Sequence, residues 1–162
     1  MTIDNFDKLF ADISNRDMSA IPPLSICAGG ASTLETPLPA DPIIDARKVL
    51  YTVLRTQPEL MLEGFKTPLN AHLWPSSRSA MLRDDVHINA FVDARMWLRD
   101  RRKQKTFNRA GTSYGWKHVA EREMETYIPN GLFIAAAIEE GFCIQRERGT
   151  PNVFLNIARK KS

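Results

Sequence analysis

Seven cations, Arg95, Arg99, Arg101, Arg102, Lys103, Lys105 and Arg109, fall within fifteen residues and face a single acid, Asp100. Arginine and lysine at this density do the chemistry of phosphate contact. They release the counterions condensed on a nucleic acid and need no particular base sequence to do so. Part of the cluster has a local explanation, because cations near a helix C-terminus complement the macrodipole. Seven exceed that requirement, and a solvated basic face is the rival explanation. Lys117, Arg146, Arg148 and Lys160, the last flanked by Arg159 and Lys161, extend the set expected to position a phosphate backbone without reading sequence.

Groups able to make or break bonds are sparse. His72, His87 and His118 fall in no H-E-x-x-H or H-x-H arrangement, and the chain has no P-loop, G-x-G-x-x-G or G-x-S-x-G segment. His118 with Glu121 and Glu123 is the one compact group of histidine and acids. Three apart on a helix, His118 and Glu121 face each other, which suits a general base as well as an ordinary ion pair. Cys27 and Cys143 offer neither a disulfide framework nor a zinc ligand set, and both are expected as free thiols. These residues predict no metal and no cofactor. An enzyme using His118 and Glu121 is the least supported of the three function classes considered below.

The elements that must hold these side chains can be outlined from apolar spacing. With 162 residues, 43% apolar and 25% charged, the chain has the balance of one soluble domain plus some non-core sequence. It shows neither an apolar run of membrane-spanning length nor the pattern of a secretory signal, so a cytoplasmic protein with no membrane partner is expected. Residues 1–41 hold six acids against Lys8 and Arg16, a net charge of −4, which leaves +7 on the rest of a chain whose total is +3. Within the acidic arm, residues 1–18, Phe6, Leu9, Phe10 and Ile13 share one helical face and form a candidate protein interface. A helix of about ten residues must dock on its own body, a second copy or another protein to persist. Residues 19–41, with four prolines and a Gly-Gly pair, read as a linker.

Residues 42–105 make the helical part of the body. Asp41 as N-cap and Pro42 at the first helical position open a helix carrying Ile43, Ala46, Val49, Leu50, Val53 and Leu54 on one face. Pro58 ends or kinks it, and 59–65 is expected to add a helical turn or two closed by Gly64. Residues 66–83 are poorly patterned, with His72 and Trp74 expected to pack on the body. Asp84 or Asp85 then caps a helix to about Lys103, directing Ile88, Phe91, Ala94, Trp97 and Leu98 inward.

Residues 106–158 read as helix, turn, helix and hairpin, followed by a basic tail, 159–162. Thr112 or Ser113 caps the first helix, which places Trp116, Val119, Ala120 and Met124 on one face; Asn130 is expected to cap a second helix that stops at Gly141. Segments 142–146 and 153–157 pair as a hairpin. The fold class is therefore mainly α with a small C-terminal β-hairpin, in a winged-helix-like unit. A helix that reads base edges presents Arg, Lys, Asn or Gln outward. The second helix instead runs Leu132-Phe133-Ile134-Ala135-Ala136-Ala137-Ile138, apolar all round, and is expected to be buried or interfacial. Its small residues between Gly131 and Gly141 permit close approach of another element, from this chain or from a second copy, and this helix together with the unplaced amphipathic arm makes a homodimer a reasonable expectation.

The stretch TFNRAGTSYGWKHVAEREMETYIPNGLFIAAAIEEGFCIQRERGTPNVFLNI resembles a pattern in small uncharacterised proteins of bacterial phages, plasmids and integrative elements. The matching elements are Asn108-Arg109, Ser113-Tyr114-Gly115, Lys117-His118, Asn130-Gly131, Phe133 to Ala137, Gly141-Phe142 and Pro151-Asn152. They cover about a third of the chain; Trp116 stands where the pattern has a smaller aliphatic residue. The resemblance implies a mobile-element setting and brings no activity. A non-enzymatic regulatory or accessory protein contacting nucleic-acid phosphates is thus the first expectation. The alternative is a protein-binding module or inhibitor acting on a host regulatory or defence protein.

Overall fold

Apolar spacing and proline placement set the first helix, α1 (Pro42–Thr56), which buries Ala46, Leu50, Val53 and Leu54. The computed structural model describes residues 42–158. The arm with Phe6, Leu9, Phe10 and Ile13, the 19–41 linker, Asp41 and the tail with Lys160 lie outside the described residues. Pro58, which has no N–H to offer a helix, stands two residues past the end of α1. The next segment corrects the expectation of further helix at 59–65. Leu60–Met61 (β1) and Gly64–Phe65 (β2) form a minimal antiparallel hairpin, Leu60 opposite Phe65 and Met61 opposite Gly64. Gly64 has φ +117°, a value that side-chain-bearing residues rarely adopt.

Residues 66–83 are ordered as a 3-10 turn (Ala71–Leu73) and a helix, α2 (Trp74–Arg83), with Pro75 in its first turn. The inner face of α2 is partly polar, burying Ser77, Arg78 and Ser79 beside Met81 and Leu82, so no apolar period betrays it. Arg78 donates to the carbonyls of Gln57 (3.0 Å), Leu60 (2.6 Å) and Leu54, covering the end of α1. Burial lowers its pKa to about 10, which leaves it charged at neutral pH. Trp74 is anchored as expected, its indole N–H donating to the Pro58 carbonyl at 3.1 Å. His72, in contrast, is exposed.

Helix α3 (Asp85–Arg99) buries Ile88, Ala90, Phe91, Ala94, Trp97 and Leu98. It stops four residues short of Lys103, which instead pairs antiparallel with Ile157. Helix α4 (Ser113–Met124) ends on Glu125, in the left-handed region at φ 53°. Helix α5 (Asn130–Glu139) ends before Gly141, at φ 75°. The hairpin strands β3 (Ile144–Arg146) and β4 (Val153–Leu155) pair antiparallel, Ile144 opposite Leu155 and Arg146 opposite Val153. They are shorter than apolar spacing predicts because Asn156 turns inward, its side-chain oxygen taking the Cys143 N–H at 2.8 Å.

Helix α5 is the centre of the molecule. Every residue from Asn130 to Ala137 is buried, against α1, α3, α4 and the β1–β2 hairpin. One apolar core therefore joins the helical part of the body to the C-terminal unit. The N-terminus of α5 is closed by its own chain. The Gly131 N–H donates to the Leu62 carbonyl at 2.9 Å, and a Cβ at position 131 would lie 1.7 Å from the Met61 carbonyl oxygen. Asn130 is not the cap but the first helical residue, its amide nitrogen donating to the Glu63 carbonyl (3.2 Å) and Asn152 Oδ1 (3.1 Å). The small residues thus admit β1–β2, not a second copy, which removes α5 as the basis for a homodimer.

Candidate nucleic-acid interface

The basic residues divide into cations paired with carboxylates and cations that meet none among the described residues. At the α3–α5 contact, Glu140 receives Arg95 Nε at 2.7 Å and Arg99 Nε at 3.1 Å, and Arg95 also lies 3.8 Å from Glu139. Burial alone would raise the Glu140 carboxyl, but hydrogen bonds and charge from Arg99 and Arg95 outweigh it and hold the pKa below the usual glutamate range. Arg101 pairs with Glu123 and lies with its guanidinium carbon 4.1 Å from the Trp97 ring centroid. Arg146 pairs with Glu59, donates to the Lys66 carbonyl at 3.0 Å and covers the Phe65 ring. Arg95 and Arg101 keep only 18% and 15% of their side-chain surface exposed. These four arginines hold elements together.

Lys117 is a correction to the set expected to contact phosphate. Its side chain is 4% exposed, bonded to Glu121 at 2.8 Å and enclosed by the Tyr114 and Tyr127 rings, 5.2 and 5.1 Å away. Glu121 also accepts the Ile128 N–H at 3.0 Å, fixing the turn between α4 and α5, and meets His118 Nδ1 at 2.6 Å. Burial would raise the Glu121 carboxyl; Lys117, the Ile128 amide and His118 together bring it below its ordinary value instead. The His118 and Glu121 pair is thus brought together as expected, with Glu121 tying down a turn. Among the described residues no group of three or more His, Cys, Asp and Glu could hold a metal ion.

Arg102, Lys105 and Arg148 are exposed and have no side-chain partner among the described residues. Arg148 lies at the hairpin tip, next to Glu147. Arg102 lines a cleft of about 650 Å³ together with Lys103, Gln104, Phe107, Asn108, Arg109, Ala110 and Ala158, with no acid among the described lining residues. Lys103 reaches back to the Glu140 carbonyl (2.5 Å) and the Phe142 ring. Arg109 bonds Gln145 and lies 4.4 Å from the Phe154 centroid and 5.9 Å from that of Phe107. Among the described residues neither Lys103 nor Arg109 meets a carboxylate; their partners are a carbonyl and an amide.

The cleft is built rather than left by a slack loop. Its floor is sewn to the end of β4 and the segment after it by Gln104 N–H to Asn156 O (2.8 Å), Asn108 N–H to Leu155 O (2.7 Å) and Ala158 N–H to Arg102 O (2.8 Å). Two buried asparagines complete the seam: Asn156 donates to the Gln104 carbonyl at 3.0 Å and Asn108 to the Ile157 carbonyl at 3.0 Å. Sequence reasoning missed Phe107, Asn108 and Asn156 as site residues. The alternation of Phe107 with Arg109 was the available signal, since an aromatic among cations is a common nucleic-acid-binding arrangement. Comparison of the chain with protein-family models, with curated proteins and with solved structures gives no match.

Proposed function

We propose that this chain is a non-enzymatic nucleic-acid-binding protein, a cytoplasmic regulatory or accessory protein of a mobile element, that holds a phosphate backbone in the cleft of Arg102, Lys103 and Arg109. The observation that carries the proposal is that these three cations and Phe107 line one internally braced cleft with no acid among its described lining residues. Phosphate oxygens are strong acceptors, and guanidinium and ammonium groups without a carboxylate partner release counterions on meeting them. The order α3, paired segment at Lys103, α4, α5, β3, β4 supports a winged-helix-like unit. In that scheme the helix after the turn serves as core, and contact moves to the edge of the sheet. Fluorescence anisotropy of a labelled oligonucleotide at low salt tests the proposal. Wild-type protein is expected to bind, and Arg102→Glu with Lys103→Glu to abolish binding; no binding by wild type, or equal binding by the variant, overturns it.

A different face supports the protein-binding alternative. Tyr114 and Tyr127 are 52% and 72% exposed around buried Lys117, and rigid aromatic side chains of this kind anchor protein interfaces. Tyr114→Ala with Tyr127→Ala would remove a protein partner captured from host lysate while leaving oligonucleotide binding intact.

A further inference from the structure

We infer that the cleft takes single-stranded nucleic acid in preference to duplex and with little regard to base sequence, one base stacking on Phe107 while Arg102, Lys103 and Arg109 hold the adjoining phosphates. The inference rests on the nucleic-acid reading above and specifies its ligand. A duplex is recognised by an element laid in a groove or by cations spread over a broad face. The helix after the turn has no face to lay in a groove: α5 is buried from Asn130 to Ala137, and its N-terminus is filled by the Leu62 carbonyl. The hairpin tip carries Arg148 beside Glu147. Three of the cations that meet no carboxylate among the described residues, Arg102, Lys103 and Arg109, line one concavity, whereas the phosphates of a duplex ride on convex ridges.

A flexible single strand can enter such a cleft, whose volume of about 650 Å³ falls in the range of sites for small organic ligands. Phe107 is half-buried and lines the cleft. Arg109 lies beside it, held against Phe154, and completes the pairing of aromatic ring and guanidinium on which unstacked bases settle. Base edges, by contrast, find few readers. Asn108 spends its amide N–H on the Ile157 carbonyl and its oxygen on the Ala110 N–H; the Gln104 amide N–H is bonded to the Thr106 carbonyl. With these amides committed, stacking and phosphate contact remain, and neither depends on base identity.

The test compares a short labelled oligothymidylate, an oligocytidylate and a duplex of equal length at one salt concentration, using wild type, Phe107→Leu and Phe107→Tyr. Leucine keeps an apolar side chain against the protein but removes the ring, and tyrosine keeps the ring; thermal melts of both variants accompany the binding curves. The expected result is single strand over duplex by at least about tenfold, similar affinity for the two single strands, and a loss of at least about fivefold in Phe107→Leu but not in Phe107→Tyr. Duplex binding equal to or tighter than single-strand binding, still dependent on Arg102 and Lys103, overturns the inference and leaves the proposed function standing. Single-strand binding indifferent to Phe107→Leu in a folded variant also overturns it. Binding to none of the probes removes both.

Discussion

If only the cations of the cleft meet phosphate, the salt dependence of binding is set by their number. The seven cations of residues 95–109 would give a slope of log affinity against log salt of about −4.9 on a single strand if all took part, and raising salt from about 50 to about 200 mM would cost about 900-fold. Arg95, Arg99 and Arg101 are held by Glu140 and Glu123, leaving Arg102, Lys103 and Arg109 in the cleft wall. Three contacts give a slope of about −2.1 and a loss of about 18-fold over the same range; adding exposed Lys105 would raise this to about 50-fold. Arg102→Ala should reduce the slope by about 0.7, to a loss of about 7-fold, whereas Arg95→Ala should leave the slope unchanged. Anisotropy titrations at four or more salt concentrations supply these slopes. A wild-type slope near that of seven contacts, or an equal reduction by Arg95→Ala and Arg102→Ala, would refute the division into paired and available charge.

Other outcomes follow from the packing. Gly131→Ala should destabilise the protein by about 3 kcal/mol or more, because its Cβ meets the Met61 carbonyl at 1.7 Å. Gly115→Ala, with nothing within 4 Å of the added Cβ and a helical position in α4, should stabilise by about 0.5–1 kcal/mol; urea unfolding of the two variants reads both values. Glu121 and Glu140 have folded-state pKa values below their unfolded ones, so their contribution is complete above the ordinary glutamate value of about 4.3 and is lost as pH falls through the depressed values. Glu121→Gln combined with Glu140→Gln should therefore lower stability at neutral pH and flatten its decline in acid, as followed by urea midpoints at successive pH values. A decline as steep as that of wild type would contradict the assignment.

The sequence made much of the scaffold legible and little of the charge pairing. Helices α1, α3 and α4 follow from apolar periodicity, with Pro42 opening α1, and the all-apolar run of α5, which ends before Gly141, correctly implied burial. The β1–β2 hairpin was illegible because two-residue strands have no period, and α2 because its buried face includes Ser77, Arg78 and Ser79. The fate of the basic cluster depends on tertiary geometry. Arg95 and Arg99 meet Glu140 only because α3 packs along α5, and Lys117 is buried only because Tyr114 and Tyr127 close over it. Density of charge could be read along the chain, but which charges were spoken for could not. Asn108 and Asn156 were equally invisible, since each acts through a backbone carbonyl or amide brought from a distant segment.

The most direct test of the central claim is an NMR titration of amide resonances with a short oligothymidylate at low salt. The predicted result is a set of shift changes concentrated in residues 102–110 and at Ala158, with the α5 amides unmoved. Shifts concentrated instead on Lys117 and the α4–α5 turn, or at the hairpin tip around Arg148, would contradict it.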